Sequence, residues 1–321
     1  MRRAFHFTFC IVALAPSTAR ADEPTPTELR AHRSDVWCLA FSLDGRQFAS
    51  ASKDATVQLR NSATGDLLHT LKGHSGDVLR LAYSPDGRLL ASSGGDGTVR
   101  LWDTKSGDAV RTIKAHGAWV PGVAFSPDGK WLATASADKT AAVWETSTGK
   151  QSSTCRGHTA EVWGVTFSPD GKHVVTVGKD STVRIWDAAT GKEEQVLKGH
   201  AGEVYSVAFR PSENEVVTCG QDKTIRVWDA ATGKELRKLA GHKSTVYALA
   251  FAPDGKLLSS SADRTVKAWD LATGAEVRTW PEHRGEVYAV ACSPNGERLV
   301  TGGKDNAILL WTGDAARPGK K

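Results

Sequence analysis

The sequence predicts an all-β fold assembled from seven copies of one short-stranded unit, and three observations predict it. A His recurs at His32, His74, His116, His158, His200, His242 and His283, in five steps of 42 residues and one of 41. A Trp recurs in fixed phase behind it, at Trp102, Trp144, Trp186, Trp228, Trp269 and Trp311. Between these marks lie three short apolar runs separated by turn-forming residues, the pattern of strands joined by hairpins. A register held over seven copies is the signature of a repeat architecture, in which each unit buries its faces against its neighbours.

The elements of one unit follow in order along 157–187. The first strand has the form Val-x-x-Val-x-Phe, from Val162 to Phe167, and is read as alternating with period 2. Ser-Pro-Asp-Gly follows at Ser84, Ser126 and Ser168; Pro presets one turn residue and Gly another, which makes a hairpin. A second apolar strand leads to Asp-x-Thr, a second tight turn, and the third strand ends on Trp-Asp. Thr-Gly or Ser-Gly then turns the chain into an outer strand. The sixth unit is one residue short between Phe251 and Ser259, and the fifth replaces Asp-Gly by Ser212-Glu213-Asn214. Both changes fall in a turn, where length is tolerated. The first unit departs at its end, with Arg60-Asn61 where the others have the aromatic.

A step near 42 residues, opened by Gly-His and closed by Trp-Asp, resembles the WD40-repeat family across roughly residues 25–313. The resemblance implies a seven-bladed β-propeller with four antiparallel strands per blade. It further implies that the strand at Thr27–Arg30 completes the last blade as its outermost strand, closing the ring and removing its open edges. With its leader, the chain resembles an exported, bacterial-type member. The expected organisation is a signal peptide at 1–21, the propeller at 22–313 and a basic flexible tail at 314–321.

The resemblance also implies a buried network in each blade, made of the His, a Ser or Thr, the turn Asp and the terminal Trp. The residues are His74, Ser92, Asp96 and Trp102; His116, Thr134, Asp138 and Trp144; His158, Thr176, Asp180 and Trp186; His200, Thr218, Asp222 and Trp228; His242, Ser259, Asp263 and Trp269; and His283, Thr301, Asp305 and Trp311. The chemistry is self-consistent, since an indole only donates, a carboxylate only accepts, and His and hydroxyls do both. Blade one keeps His32, Ser50 and Asp54 but lacks the indole. The repeated His and Asp therefore read as structure and not as catalysis.

Composition narrows the function. Removing Arg2, Arg3 and Arg20 from the 41 Lys and Arg leaves 38 against 36 Asp and Glu, a net of +2. Nothing here makes the basic stripe that nucleic acid requires. Arg2-Arg3, an apolar run from Ala4 to Ala15 and Ala19-Arg20-Ala21 read as a cleavable export signal, too short for a membrane span. Export to the periplasm or exterior is expected, with a cytoplasmic location as the alternative if the leader is spurious. Cys38, Cys155, Cys219 and Cys292 sit at different offsets in four units and are read as buried thiols. No Cys/His cluster has metal-ligand spacing, no catalytic set converges, and no cofactor is expected.

Function is expected where the copies disagree. In the resembled family, the residues flanking the first strand's Val and preceding the turn Asp lie on the top face, the usual partner surface. Here they include the acids Asp35, Asp77, Glu161, Glu203 and Glu286, the aromatics Trp37, Trp119, Trp163, Tyr205, Tyr247 and Tyr288, and the lysines Lys53, Lys179 and Lys304. Aromatic anchors in a polar rim suit a protein or peptide partner, and acids beside aromatics suit one exposing Lys or Arg. The expectation is a monomeric, non-catalytic interaction scaffold. The alternative is a propeller enzyme, or a small-molecule or metal-binding protein, using the central channel.

Overall fold

The structure is a computed structural model describing residues 25–210, 213–281 and 283–318. The leader assigned to 1–21 lies outside these residues. Seven four-stranded antiparallel sheets form the molecule, six of them built from four consecutive strands. Blade four is representative, with strands Val162–Phe167, His173–Gly178, Thr182–Asp187 and Glu193–Lys198 in that order from the channel outward. The seventh sheet takes its outermost strand from the opposite end of the chain: Thr27–Leu29 pairs antiparallel with Ile308–Thr312, Thr27 facing Leu310. The ring is thus closed by the N-terminal strand.

The inner strand is not the plain alternating strand expected. Val162 pairs with Gly178 and Gly164 with Val177, so Trp163 is the extra residue of a β-bulge. Bulges skip Trp37, Leu79, Tyr205, Tyr247 and Tyr288 in the same way. In blade three Pro121, which has no N–H to give a ladder, precedes a strand that starts only at Gly122. A bulged residue is left unpaired and its side chain is re-aimed. The bulge also explains the three-residue spacing from Val162 to Val165: both join Phe167 in one buried cluster, which strict alternation would forbid.

Packing is between blades. Trp186, fully buried, sits with Val162, Val165 and Val174 of its own blade against Ala133, Ala135, Val143 and Cys155 of blade three. Trp102 packs likewise among Ala49, Val57 and Leu71 of blade one, and Trp228 among Val175, Val183 and Leu197 of blade four. Each repeated Trp is therefore the wedge that joins its blade to the one before it. The seam joins Val36, Leu39 and Phe48 to Val300, Ile308 and Leu310, with Leu29 packed on top.

The shortened sixth unit loses its residue inside the first hairpin. Ala252 N–H reaches Lys256 O, whereas Ser168 N–H reaches His173 O one residue further on. Of the segment expected as a free tail from 314, residues Asp314 to Arg317 dock instead. Gly313–Ala315 forms a 3-10 turn, Ala315 and Ala316 are buried, and Trp280 Nε1 donates to Ala315 O at 2.8 Å. Arg278 Nη1 donates to Asp314 O and Arg317 O at 2.7 and 2.8 Å. Cys38, Cys155, Cys219 and Cys292 are free thiols, the first three buried. Burial pushes the thiols of Cys155 and Cys292 up to about 12, which suppresses the thiolate.

Candidate functional site

In blade four, Trp186 Nε1 donates to Thr176 Oγ1 at 2.8 Å, Thr176 Oγ1 lies 2.7 Å from His158 Nε2, and His158 Nδ1 lies 2.9 Å from Asp180 Oδ2. Only one direction satisfies every group: indole to hydroxyl, hydroxyl to His Nε2, and His Nδ1–H to carboxylate. The imidazole is thereby assigned neutral, with its proton on Nδ1. The resemblance implies the four members in the order His158–Thr176–Asp180–Trp186; the structure instead puts His158 and Thr176 in the middle, with Asp180 and Trp186 at opposite ends. The same chain recurs in blade two through Ser92, blade three through Thr134, blade five through Thr218, blade six through Ser259 and blade seven through Thr301.

A fifth member was read from sequence only as part of a turn. Thr182 Oγ1 donates to Asp180 Oδ1 at 2.7 Å, and the same Asp-x-Thr contact is made by Thr56, Thr98, Thr140, Thr224 and Thr265. Blade seven has Ala307 there instead. In every blade but the third the Asp also accepts a backbone N–H from the residue after the His, as Asp180 does from Thr159 at 3.0 Å. These bonds prevail electrostatically. Burial alone would raise the Asp96 carboxyl, but the Ser75 N–H, the Thr98 hydroxyl and N–H, and His74 bring it down to about 2. Burial lowers His32, His74 and His116 despite their carboxylate partners, in keeping with the neutral ring.

Blade one shows the network without its indole. His32 Nε2 lies 2.8 Å from Ser50 Oγ and Nδ1 3.0 Å from Asp54, but Arg60 turns away, donating to Gln58 Oε1 and to Gly65 O at 2.7 Å each.

The variable positions lie above this frame. Lys53, Gly95, Ala137, Lys179, Gln221, Ala262 and Lys304 donate their N–H to the carbonyls of Asp35, Asp77, Trp119, Glu161, Glu203, Thr245 and Glu286, at 2.8 to 3.0 Å. That repeated bond puts the two sets of positions side by side at one end of the ring. The bulged residues turn inward beside them. Trp37, Trp119, Trp163, Tyr205, Tyr247 and Tyr288, with Asp77, Leu79, Arg80 and Pro121, line a single cup of about 380 Å³. Five rings follow one another around it in tilted or T-shaped contacts, with centroids 6.1 Å apart for Trp163–Tyr205, 5.4 Å for Tyr205–Tyr247, 5.2 Å for Tyr247–Tyr288 and 4.5 Å for Tyr288–Trp37. Trp119 stands off this arc and is 56% exposed.

Several of the acids, expected from sequence to meet a partner's Lys or Arg, are engaged within the ring itself. Glu203 accepts from Trp163 Nε1 at 3.1 Å and Glu286 from the Tyr247 hydroxyl at 2.9 Å, both across a blade boundary. Glu286 also pairs with Lys304 at 3.0 Å and Glu161 with Lys179 at 3.2 Å. Glu203 and Glu286 thus brace the cup's walls, Lys304 braces Glu286, and Glu161 is engaged by Lys179. Burial raises Glu286, but Lys304 and the Tyr247 hydroxyl lower it further, so it stays ionised. Burial first, then the neighbouring acids, pushes Tyr205 and Tyr288 up to about 12, so both remain neutral donors.

Below the cup the channel narrows to about 180 Å³ and is lined mostly by small and aliphatic residues, with Arg80 its one charged side chain. Among the described residues, no group of three or more His, Cys, Asp or Glu is placed to hold a metal ion. No described helix is long and apolar enough to cross a membrane.

A family model for the WD domain, G-beta repeat, matches residues 23–61, 65–103 and 107–145, and a model for the WDR3 first beta-propeller domain matches residues 139–312. No curated protein matches the chain. The two models between them cover all seven blades, and the repeated Trp–Ser/Thr–His–Asp chain is common to six of those blades. The chain belongs to the WD40-repeat family of β-propellers.

Proposed function

We propose that this protein is a non-catalytic scaffold that binds a protein or peptide partner at the mouth of its channel. The observation that carries the reading is the aromatic cup: six Trp and Tyr side chains from six blades converge on one opening. Amphipathic rings held in place by their neighbours are the groups from which binding hot spots are made, each worth about 2 kcal/mol or more when central. Aromatic area concentrated at a surface opening marks a contact site. The walls are preorganised by the Trp163–Glu203 and Tyr247–Glu286 bonds, which lowers the entropy lost on binding.

Anchoring comes from the aromatics more than from charge. Of the five acids, Asp35 and Asp77 remain to meet a partner's Lys or Arg, so charge complementarity to such a partner rests on these two. The repeated His and Asp are fully engaged in holding the blades, which supports a role without catalysis. The test is partner capture from the native source by the parent chain and by a Trp163→Ala/Tyr205→Ala variant that keeps its fold. The leader supports export, and N-terminal sequencing of the protein from its source checks it: a start at Asp22 agrees, a retained leader does not.

A further inference from the structure

We propose that the cup and the channel beneath it form a binding site for a small organic carboxylate with a flat apolar body, and that Arg80 receives the carboxylate. Arg80 lies on the inner strand Val78–Tyr83 of blade two and borders both the cup and the narrower channel. At the matching position the other blades carry Cys38, Gly122, Gly164, Ser206, Ala248 and Ala289, all small and uncharged. Blade two alone places a guanidinium where the ring otherwise keeps its bore clear.

Among the described residues, no hydrogen bond or ion pair engages that guanidinium. Two arginines beside the blade networks are occupied: Arg184 pairs with Glu193 and Asp180, and Arg226 with Glu235 and Asp222. A guanidinium offers five N–H donors in a plane, a fork that matches a carboxylate bidentately. Aromatic walls exclude water around such a pair and so strengthen it relative to one at the surface. A cavity of about 380 Å³ is the size of a small-molecule site, with an apolar lining and few polar groups to fix orientation. Asp77 is the one carboxylate lining the cup, Glu203 and Glu286 being held behind the rings by Trp163 and Tyr247, and it opposes an incoming anion. The site therefore makes opposite predictions for the two charges at its edge.

The experiment is calorimetric titration of the full chain with benzoate, its neutral isostere benzamide, the cation benzylamine, and phenyl phosphate. Benzoate is expected to bind at least about tenfold more tightly than benzamide, the factor that one charged bidentate contact supplies. Arg80→Gln abolishes that advantage with an unchanged thermal midpoint, and Asp77→Asn tightens benzoate roughly two- to fivefold by removing a like charge. The proposal is overturned if benzylamine binds better than benzoate, if Arg80→Gln leaves the benzoate preference intact, or if benzoate shows no saturable binding. Tighter binding of phenyl phosphate overturns the carboxylate assignment. No protein partner enters this measurement, so its failure leaves the scaffold reading standing, and failed partner capture leaves the carboxylate site standing.

Discussion

The polar chain inside blade four and Trp163, that blade's contribution to the aromatic cup, come from the same 31 residues, 157–187, yet they obey different rules. In the chain, Trp186, Thr176 and His158 are buried and every donor meets an acceptor of its own blade. Changing any member strands the next one, so the copies agree. In the cup, Trp163 is the unpaired residue of a bulge, and its indole bonds to the next blade, at Glu203. Its identity is not dictated by its own sheet, so the copies differ, with Leu79 or Pro121 in its place. The contrast teaches that repetition marks the groups holding the ring, while variation at a bulge marks those free to recognise something else.

The sharpest way to break the comparison is Trp186→Ala. The indole fills the joint between blades three and four and satisfies Thr176, so its loss is expected to cost about 3–5 kcal/mol. Thermal unfolding checks this: at roughly 2–4 °C per kcal/mol, the midpoint should fall by more than about 6 °C. A smaller fall would mean that the indole is not the wedge.

How much of this was legible in the sequence follows from the same contrast. The seven units could be read from a repeated register, while the closing strand and the membership of the networks followed from the resemblance that this register carries. The order within the chain could not, because phase fixes which residues recur and not which atoms touch. The Thr of Asp-x-Thr recurs in six of the seven units but was absorbed by the turn it also makes. The bulge left a trace, the three-residue spacing of Val162 and Val165, that was read past as alternation. Arg80 left a trace at a position that was not compared across the units, and the Glu203–Trp163 and Glu286–Tyr247 contacts left none. Arg80 departs from the small residues at its position in one unit only, and the contacts join residues about 40 positions apart across a curved ring.

Acid comes next in expected effect. Burial depresses His32, His74 and His116 below their ordinary 6.5, so the unfolded chain binds protons before the folded one does. Their contribution is complete above 6.5 and is lost as pH falls through that value. The depressed carboxyls Asp96, Asp138, Asp180, Asp222, Asp263 and Asp305 act in the same sense lower down, holding their contribution above 3.8 and losing it below. The thermal midpoint should therefore be flat from pH 8 to about 6.5, decline gently to about 4, and drop steeply beyond. A midpoint that rises on acidification would contradict the neutral-His chain.

Blade one offers a smaller and opposite change. Arg60→Trp would give Ser50 Oγ the donor that its counterparts have, with an expected gain of about 1 kcal/mol. Thermal unfolding would show a modestly raised midpoint. No gain would mean that the Arg60 bonds to Gln58 and Gly65 stabilise that blade as well as an indole would.

The central claim, that the ring holds itself with its repeated residues and recognises a partner with its bulged ones, is tested most directly by Trp163→Ala/Tyr205→Ala. Both side chains lie at the opening and outside the His–Asp chains, so the midpoint should stay within a few degrees of the parent's, a loss of roughly 1–2 kcal/mol. Capture of the partner retained by the parent chain should fall at least about tenfold, the equivalent of one lost hot spot. Undiminished capture by the folded variant would contradict the account.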